Sequence, residues 1–172
     1  MKRLSIPAVA LAWLAVGCGS SSTAPTVNDL APTFAATLSP ASEVPPVTNA
    51  ENVVSGTAGI VMTLTKDGAG NITSAFARFS VNLQGFPAGS SVNIAHIHEG
   101  ATTCACPVVV NTTLAAGQVA VTSGAASFTI AGIVVPPEVA QRILANPAGF
   151  YFNVHSTLNP GGVARGILVK SS

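Results

Sequence analysis

The sequence predicts an all-β fold: an antiparallel sandwich or barrel of short strands, with one short helix near 137–145. Two observations carry this reading. The chain is 48% hydrophobic, 5% aromatic and 8% charged, with 16 Gly and 12 Pro in 172 residues. Abundant Val, Ala, Thr, Ser and Gly with few charges favours short strands joined by turns. The second observation is a period of two. Ala75, Ala77, Phe79, Val81 and Leu83 alternate with Phe76, Arg78, Ser80, Asn82 and Gln84, as in a strand buried on one face.

Ile60, Met62 and Leu64 repeat that alternation, and Lys66-Asp67-Gly68-Ala69-Gly70-Asn71 is a turn cluster that joins the two strands as a hairpin. Further strands are expected near 34–39, 91–98, 107–112, 126–133, 149–156 and 163–169. Their spacing and the absence of strand–helix alternation argue for an antiparallel sandwich or barrel. The helix is expected from Pro137 and Glu138 at its start and Asn146-Pro147 as its stop, with Val139, Ile143 and Leu144 pinning it to the strands.

The first 32 residues read as targeting and tether. Lys2 and Arg3 precede an apolar run from Leu4 to Val16. As a helix that run is roughly 20 Å long, too short for a hydrocarbon core of about 30 Å, so it reads as a cleavable export signal. Leu14-Ala15-Val16-Gly17-Cys18 resembles the bacterial lipobox, with Leu one place further from the Cys than in the commonest form. Residues 1–17 are thus a lipoprotein signal peptide. Cys18 is the lipidation site, and 18–32 is a flexible tether of Ser, Thr, Pro and Gly. The alternative is ordinary secretion with Cys18 discarded or free. Residues 33–170 form the folded domain.

Composition and motifs also exclude. A formal charge of +1, with neither sign clustered, gives no electrostatic footprint for nucleic acid. No nucleophile elbow, phosphate loop, dinucleotide fingerprint or zinc-protease helix occurs, and no Asp stands within the histidine motifs to orient a catalytic base.

Three ordered motifs carry a resemblance. They are Leu38-Ser39-Pro40-Ala41-Ser42-Glu43-Val44-Pro45-Pro46-Val47, Ala95-His96-Ile97-His98-Glu99-Gly100, and the stretch from Asn153-Val154-His155-Ser156 through Pro160-Gly161-Gly162 to Arg165-Gly166. In this order and spacing the chain resembles the CHRD (chordin) domain family over about residues 34–170. The resemblance implies an all-β, immunoglobulin-like sandwich of Greek-key type, placed outside the cytoplasm and without established enzymatic activity. The chain departs from the family pattern at Ala101-Thr102-Thr103-Cys104-Ala105-Cys106, where a Gly-rich stretch is usual, and at Ser156, where Thr is more usual.

All three histidines of the chain fall in two of these motifs. His96 and His98, two apart in a strand, project from one face with Cα atoms roughly 6.6–7 Å apart. His155 shares a face with Tyr151 and Asn153. Two readings follow. If the strands are neighbours, the three imidazoles converge on one Cu or Zn ion, with Glu43 and Glu99 as carboxylate ligands or outer acceptors. Otherwise they form a polar seam in which Arg165 pairs with Glu43 or Glu99. Cys104 and Cys106 are expected to form a disulfide in an oxidising compartment; the alternative is a thiolate pair beside His98. The turn at Pro160-Gly161-Gly162 is expected to bring Arg165 back beside His155.

These readings converge on a lipid-anchored cell-envelope protein, on an outer membrane or periplasmic face if the cell has one. Its partners are the membrane, through the anchor, and an unidentified envelope or extracellular molecule. Its function is that of a non-catalytic binding or structural module. Two rivals stand beside it: an adhesive module, and a copper-dependent oxidoreductase, since His-x-His on a sandwich strand is similar to copper-zinc superoxide dismutases. A dinuclear centre of that kind needs more than three histidines.

Overall fold

The computed structural model describes residues 31–101 and 103–171. The signal sequence, Cys18 and nearly all of the tether lie outside the described residues. Among those described, no helix is long and apolar enough to cross a membrane.

Among the described residues, nine strands form two antiparallel sheets. They are β1 (Thr33–Leu38), β2 (Ser55–Lys66), β3 (Ile72–Gln84), β4 (Val92–Glu99), β5 (Val108–Asn111), β6 (Ala125–Val135), β7 (Phe150–Ser156), β8 (Ala164–Ile167) and β9 (Val169–Lys170). The larger sheet has the order β6-β3-β2-β1-β9, and the smaller β5-β4-β7-β8. The chain crosses between sheets after β3, β5, β6 and β8, so the result is a sandwich.

The period-two pattern does the sorting. Ile60, Met62 and Leu64 of β2 and Ala75, Ala77, Phe79, Val81 and Leu83 of β3 are all buried. Opposite them Ala95 and Ile97 of β4 and Phe150, Phe152 and Val154 of β7 point inward from the smaller sheet. Phe79 and Phe152 stack across the interface with ring centroids 5.6 Å apart. The β2–β3 hairpin closes at Asp67, whose Oδ1 accepts from the N–H groups of Ala69 and Asn71, both at 2.9 Å.

The helix α1 (Pro137–Ala145) carries the chain from β6 back to β7. Val139, Ala140 and Ile143 are buried, while Leu144 is half-buried at the margin of the core. At its end Asn146 N–H donates to Arg142 O at 3.0 Å.

One expected strand divides. The stretch 163–169 splits because Leu168 turns into the core, its N–H donating to Phe150 O at 2.9 Å. β8 therefore pairs with β7, while β9 pairs with β1 in the other sheet. The sheets are also stitched at one edge. Just past β1, Ser39 N–H donates to Arg165 O at 3.1 Å and Arg165 N–H to Ser39 O at 3.3 Å. That stitch puts the residues after Ser39 over the outer face of the smaller sheet.

Candidate metal centre

Strands β4 and β7 are neighbours, with His96 opposite Asn153, His98 opposite Tyr151, and Ile94 opposite His155. Alternation sends His96, His98, Tyr151, Asn153 and His155 to the outer face, away from the core. Arg165, opposite Asn153 on β8, joins them. Three loops roof this face, so that each histidine is only 8% exposed.

The imidazoles converge. One nitrogen from each of His96, His98 and His155 lies within 4.8 Å of the others. His155 Nε2 and His96 Nε2 are 2.7 Å apart. The far nitrogens of two rings are pinned: His155 Nδ1–H donates to Pro160 O at 2.8 Å, and His98 Nδ1–H donates to Cys106 O at 2.5 Å. A proton fixed on Nδ1 leaves the Nε2 lone pair facing the cluster, the tautomer a metal-ligating histidine needs. With His155 Nε2 an acceptor, the metal-free contact requires His96 to supply Nε2–H. An ion would take that proton's place, and His96 would carry its proton on Nδ1.

Burial also keeps these rings neutral. His96 is lowered to about 3, by loss of solvent first and then by the proximity of His155 and His98. His98 and His155 are lowered by burial as well, against the opposing pull of the Cys106 and Pro160 carbonyls. Neutral imidazole is the form that binds Cu or Zn.

Beside the cluster lies a buried ion pair. Arg165 is 2% and Glu43 3% exposed. Arg165 Nε and Nη2 each lie 2.6 Å from Glu43 Oε2, and Nη1 donates to Cys104 O at 2.8 Å. The guanidinium sits 4.7 Å from the Tyr151 ring centroid, and the His98 ring stacks on Tyr151 at 4.6 Å. Burial pushes the Glu43 carboxyl up, against the opposing pull of Arg165 and the Asn153 amide.

Among the described residues, the buried side-chain polar atoms without a hydrogen-bond partner are His98 Nε2, Asn153 Oδ1 and Glu43 Oε1. All three are acceptors on or over this one face. Unpaired acceptors at a buried site are costly, and a cation would relieve that cost.

The structure thus gathers His96, His98, His155, Glu43 and Arg165. It does not gather Glu99. Glu99 follows His98 by one residue, so alternation points it to the other face, where its carboxylate holds Arg142 of α1 with Arg142 Nε 2.8 Å from Oε1. The expectation that Glu99 serves the histidines is therefore corrected, and the partner of Arg165 is Glu43. Cys104 and Cys106 are joined as a disulfide, with Cα atoms 5.2 Å apart, in place of a thiolate pair. Arg165 stands opposite Asn153, one step along the face from His155.

Tyr151 and Asn153 belong to the site although neither histidine spacing nor charge singles them out. The available signal was their shared strand face with His155. A further buried acid, Glu51, ties the loops at the His155 end. Its Oε1 accepts from Ser90 Oγ at 2.8 Å, and its Oε2 from Ser156 Oγ and Asn159 Nδ2, both at 2.5 Å.

The three motifs thus meet in space: β4 and β7 supply the histidines, β8 the arginine, and the segment after β1 the carboxylate. The family model for the CHRD domain matches residues 34–168.

The chain belongs to the CHRD family. The match covers the whole sandwich except its outermost residues, and it ends at Leu168, where β8 gives way to β9. No curated protein matches the chain, and no solved structure matches it. Membership of the CHRD family points to a binding or structural module.

Proposed function

We propose that this CHRD protein is a lipid-anchored, non-catalytic module of the cell envelope that binds one Cu or Zn ion on its three-histidine face. The export signal and the anchor at Cys18 rest on the sequence of residues 1–22 alone. The single observation that supports the metal is the set of three imidazole nitrogens within 4.8 Å, two of them pre-set by carbonyls on their far sides.

Imidazole ligands suit both Cu and Zn, and a three-nitrogen set leaves room for a further ligand. Bringing two imidazoles onto one ion at about 2.0–2.1 Å requires their nitrogens to stand roughly 3.3 Å apart. His96 and His155 need only part slightly from their 2.7 Å contact. The non-catalytic part of the reading is supported by the family and by the pairing of the neighbouring charges. Arg165 pairs with Glu43 through Oε2 and with Cys104 O.

The test is elemental analysis of tag-free protein purified from its export compartment. The expected result is about one Cu or Zn per chain. Protein that emerges without metal, and takes up neither ion at neutral pH, would end this reading.

A further inference from the structure

The loop that carries Cys104 and Cys106 lies against the histidine face through its backbone. Cys106 O accepts from His98 Nδ1–H at 2.5 Å. Cys104 O accepts from Tyr151 Oη–H at 3.0 Å and from Arg165 Nη1 at 2.8 Å, and Cys106 N–H donates to Tyr151 Oη at 3.2 Å. Two carbonyls and one N–H of a three-residue ring therefore orient His98, Tyr151 and Arg165 together.

Besides the disulfide and these contacts, the loop is braced by Cys104 N–H donating to Ala101 O at 3.3 Å and Glu99 N–H donating to Pro107 O at 3.1 Å. Ala101, Thr103, Ala105 and Pro107 are exposed and Cys104 and Cys106 half-buried, so among the described residues of this loop no apolar anchor is sunk into the core. The sulfurs rest instead on Gly100, at φ +146°, where any Cβ would collide with both of them. The bond and the glycine together fix which way the Cys106 carbonyl points.

We infer that the Cys104–Cys106 disulfide is a redox control on the metal site: closed, it locks His98 in the ligating tautomer, and opened, it releases that lock and weakens the ion's hold. The inference rests on the three-histidine reading above and names how that site is regulated. The reductant is a dithiol. Its thiolate attacks one cysteine sulfur, forming a mixed disulfide and freeing the other cysteine as a thiolate. Its second thiol then displaces the first cysteine. Two electrons pass to the cysteines, which take up two protons, and the reductant leaves as a disulfide. Half-buried sulfurs on an exposed loop are open to that attack. Once the bond is open, Cys106 O is free to swing from His98, whose proton then distributes between Nδ1 and Nε2.

The experiment compares oxidised wild-type protein, dithiol-reduced wild-type protein and the Cys104→Ser/Cys106→Ser variant. Two readouts are taken: two-bond proton–nitrogen NMR of the imidazole rings without metal, and Zn²⁺ affinity by competition with a chromophoric chelator. The amide spectrum of the reduced protein, with its recovery on reoxidation, shows that the fold persists. The expected result is a pure Nδ1–H tautomer of His98 in the oxidised protein and a mixture in the other two. Zn²⁺ affinity of the serine variant should fall about 10- to 100-fold, the usual range for loss of an outer partner of a ligand. An unchanged His98 tautomer, or Zn²⁺ affinity within twofold of wild type, would overturn the inference. Failure of oxidised wild-type protein to bind Zn²⁺ or Cu at all would instead overturn the reading beneath it.

Discussion

His155 Nε2 lies 2.7 Å from His96 Nε2 while its own Nδ1–H is held by Pro160 O. The two histidines come from strands that are neighbours in space but far apart in sequence. That contact defines the site, because the β4–β7 register that creates it also sets His98 beside Tyr151.

Loss of one imidazole should nearly abolish ion binding. His98→Ala and His155→Ala are each expected to weaken Cu or Zn affinity by on the order of 100-fold or more, at least matching the loss seen when an outer partner is removed. Both rings sit on the outer face, so the fold should persist. Isothermal titration calorimetry, with far-UV circular dichroism as the fold check, measures both.

The Glu43–Arg165 pair is fully enclosed, so breaking it should be costly and replacing it mild. Arg165→Met leaves a buried carboxylate without its cation and should cost roughly 3–5 kcal/mol. The double variant Glu43→Leu/Arg165→Met should recover part of that loss, since apolar replacements of a buried pair are often tolerated. Urea denaturation of the three proteins gives the comparison.

Stability of the metal-free protein should fall on mild acidification. An unfolded histidine takes its proton near 6.5, whereas folded His96 is lowered to about 3, and His98 and His155 are lowered too. Between those values the unfolded chain binds more protons, so stability is complete above about pH 6.5 and declines as pH drops toward 3. Thermal melts in chelator from pH 7.5 to 4 should show a steady fall in Tm. A variant with all three histidines replaced by Gln should lose most of that slope over the upper half of the range.

Gly166 lets β8 lie against β1. A Cβ there would strike the backbone of Thr37, so Gly166→Ala should push apart the edge that Ser39 and Arg165 stitch. A loss of about 1–3 kcal/mol is expected from such overpacking, with weaker ion binding as Arg165 shifts. Denaturation and Zn²⁺ titration of the same variant test the two effects together.

Much of this fold was legible because alternation is local. The faces of β3 and the shared face of His155, Tyr151 and Asn153 follow from a period of two. So does the limit: Glu99 was counted with His98 by proximity in sequence, yet one residue in a strand reverses direction, and Arg142 of α1 claims it. What could not be read locally was pairing. Nothing in the motifs states that β4 lies next to β7, or that Ser39 bridges to Arg165 and so swings Glu43 over the site. The break at Leu168 was hidden for the same reason, since the carbonyl of Phe150 that receives its N–H lies in another strand.

The most direct test is X-ray absorption spectroscopy of the protein loaded with one equivalent of Zn²⁺ or copper. The account predicts imidazole scattering from three nitrogens at about 2.0–2.1 Å, reduced to two in His98→Ala. A spectrum with sulfur ligands, or one whose imidazole count is unchanged by that substitution, would contradict it.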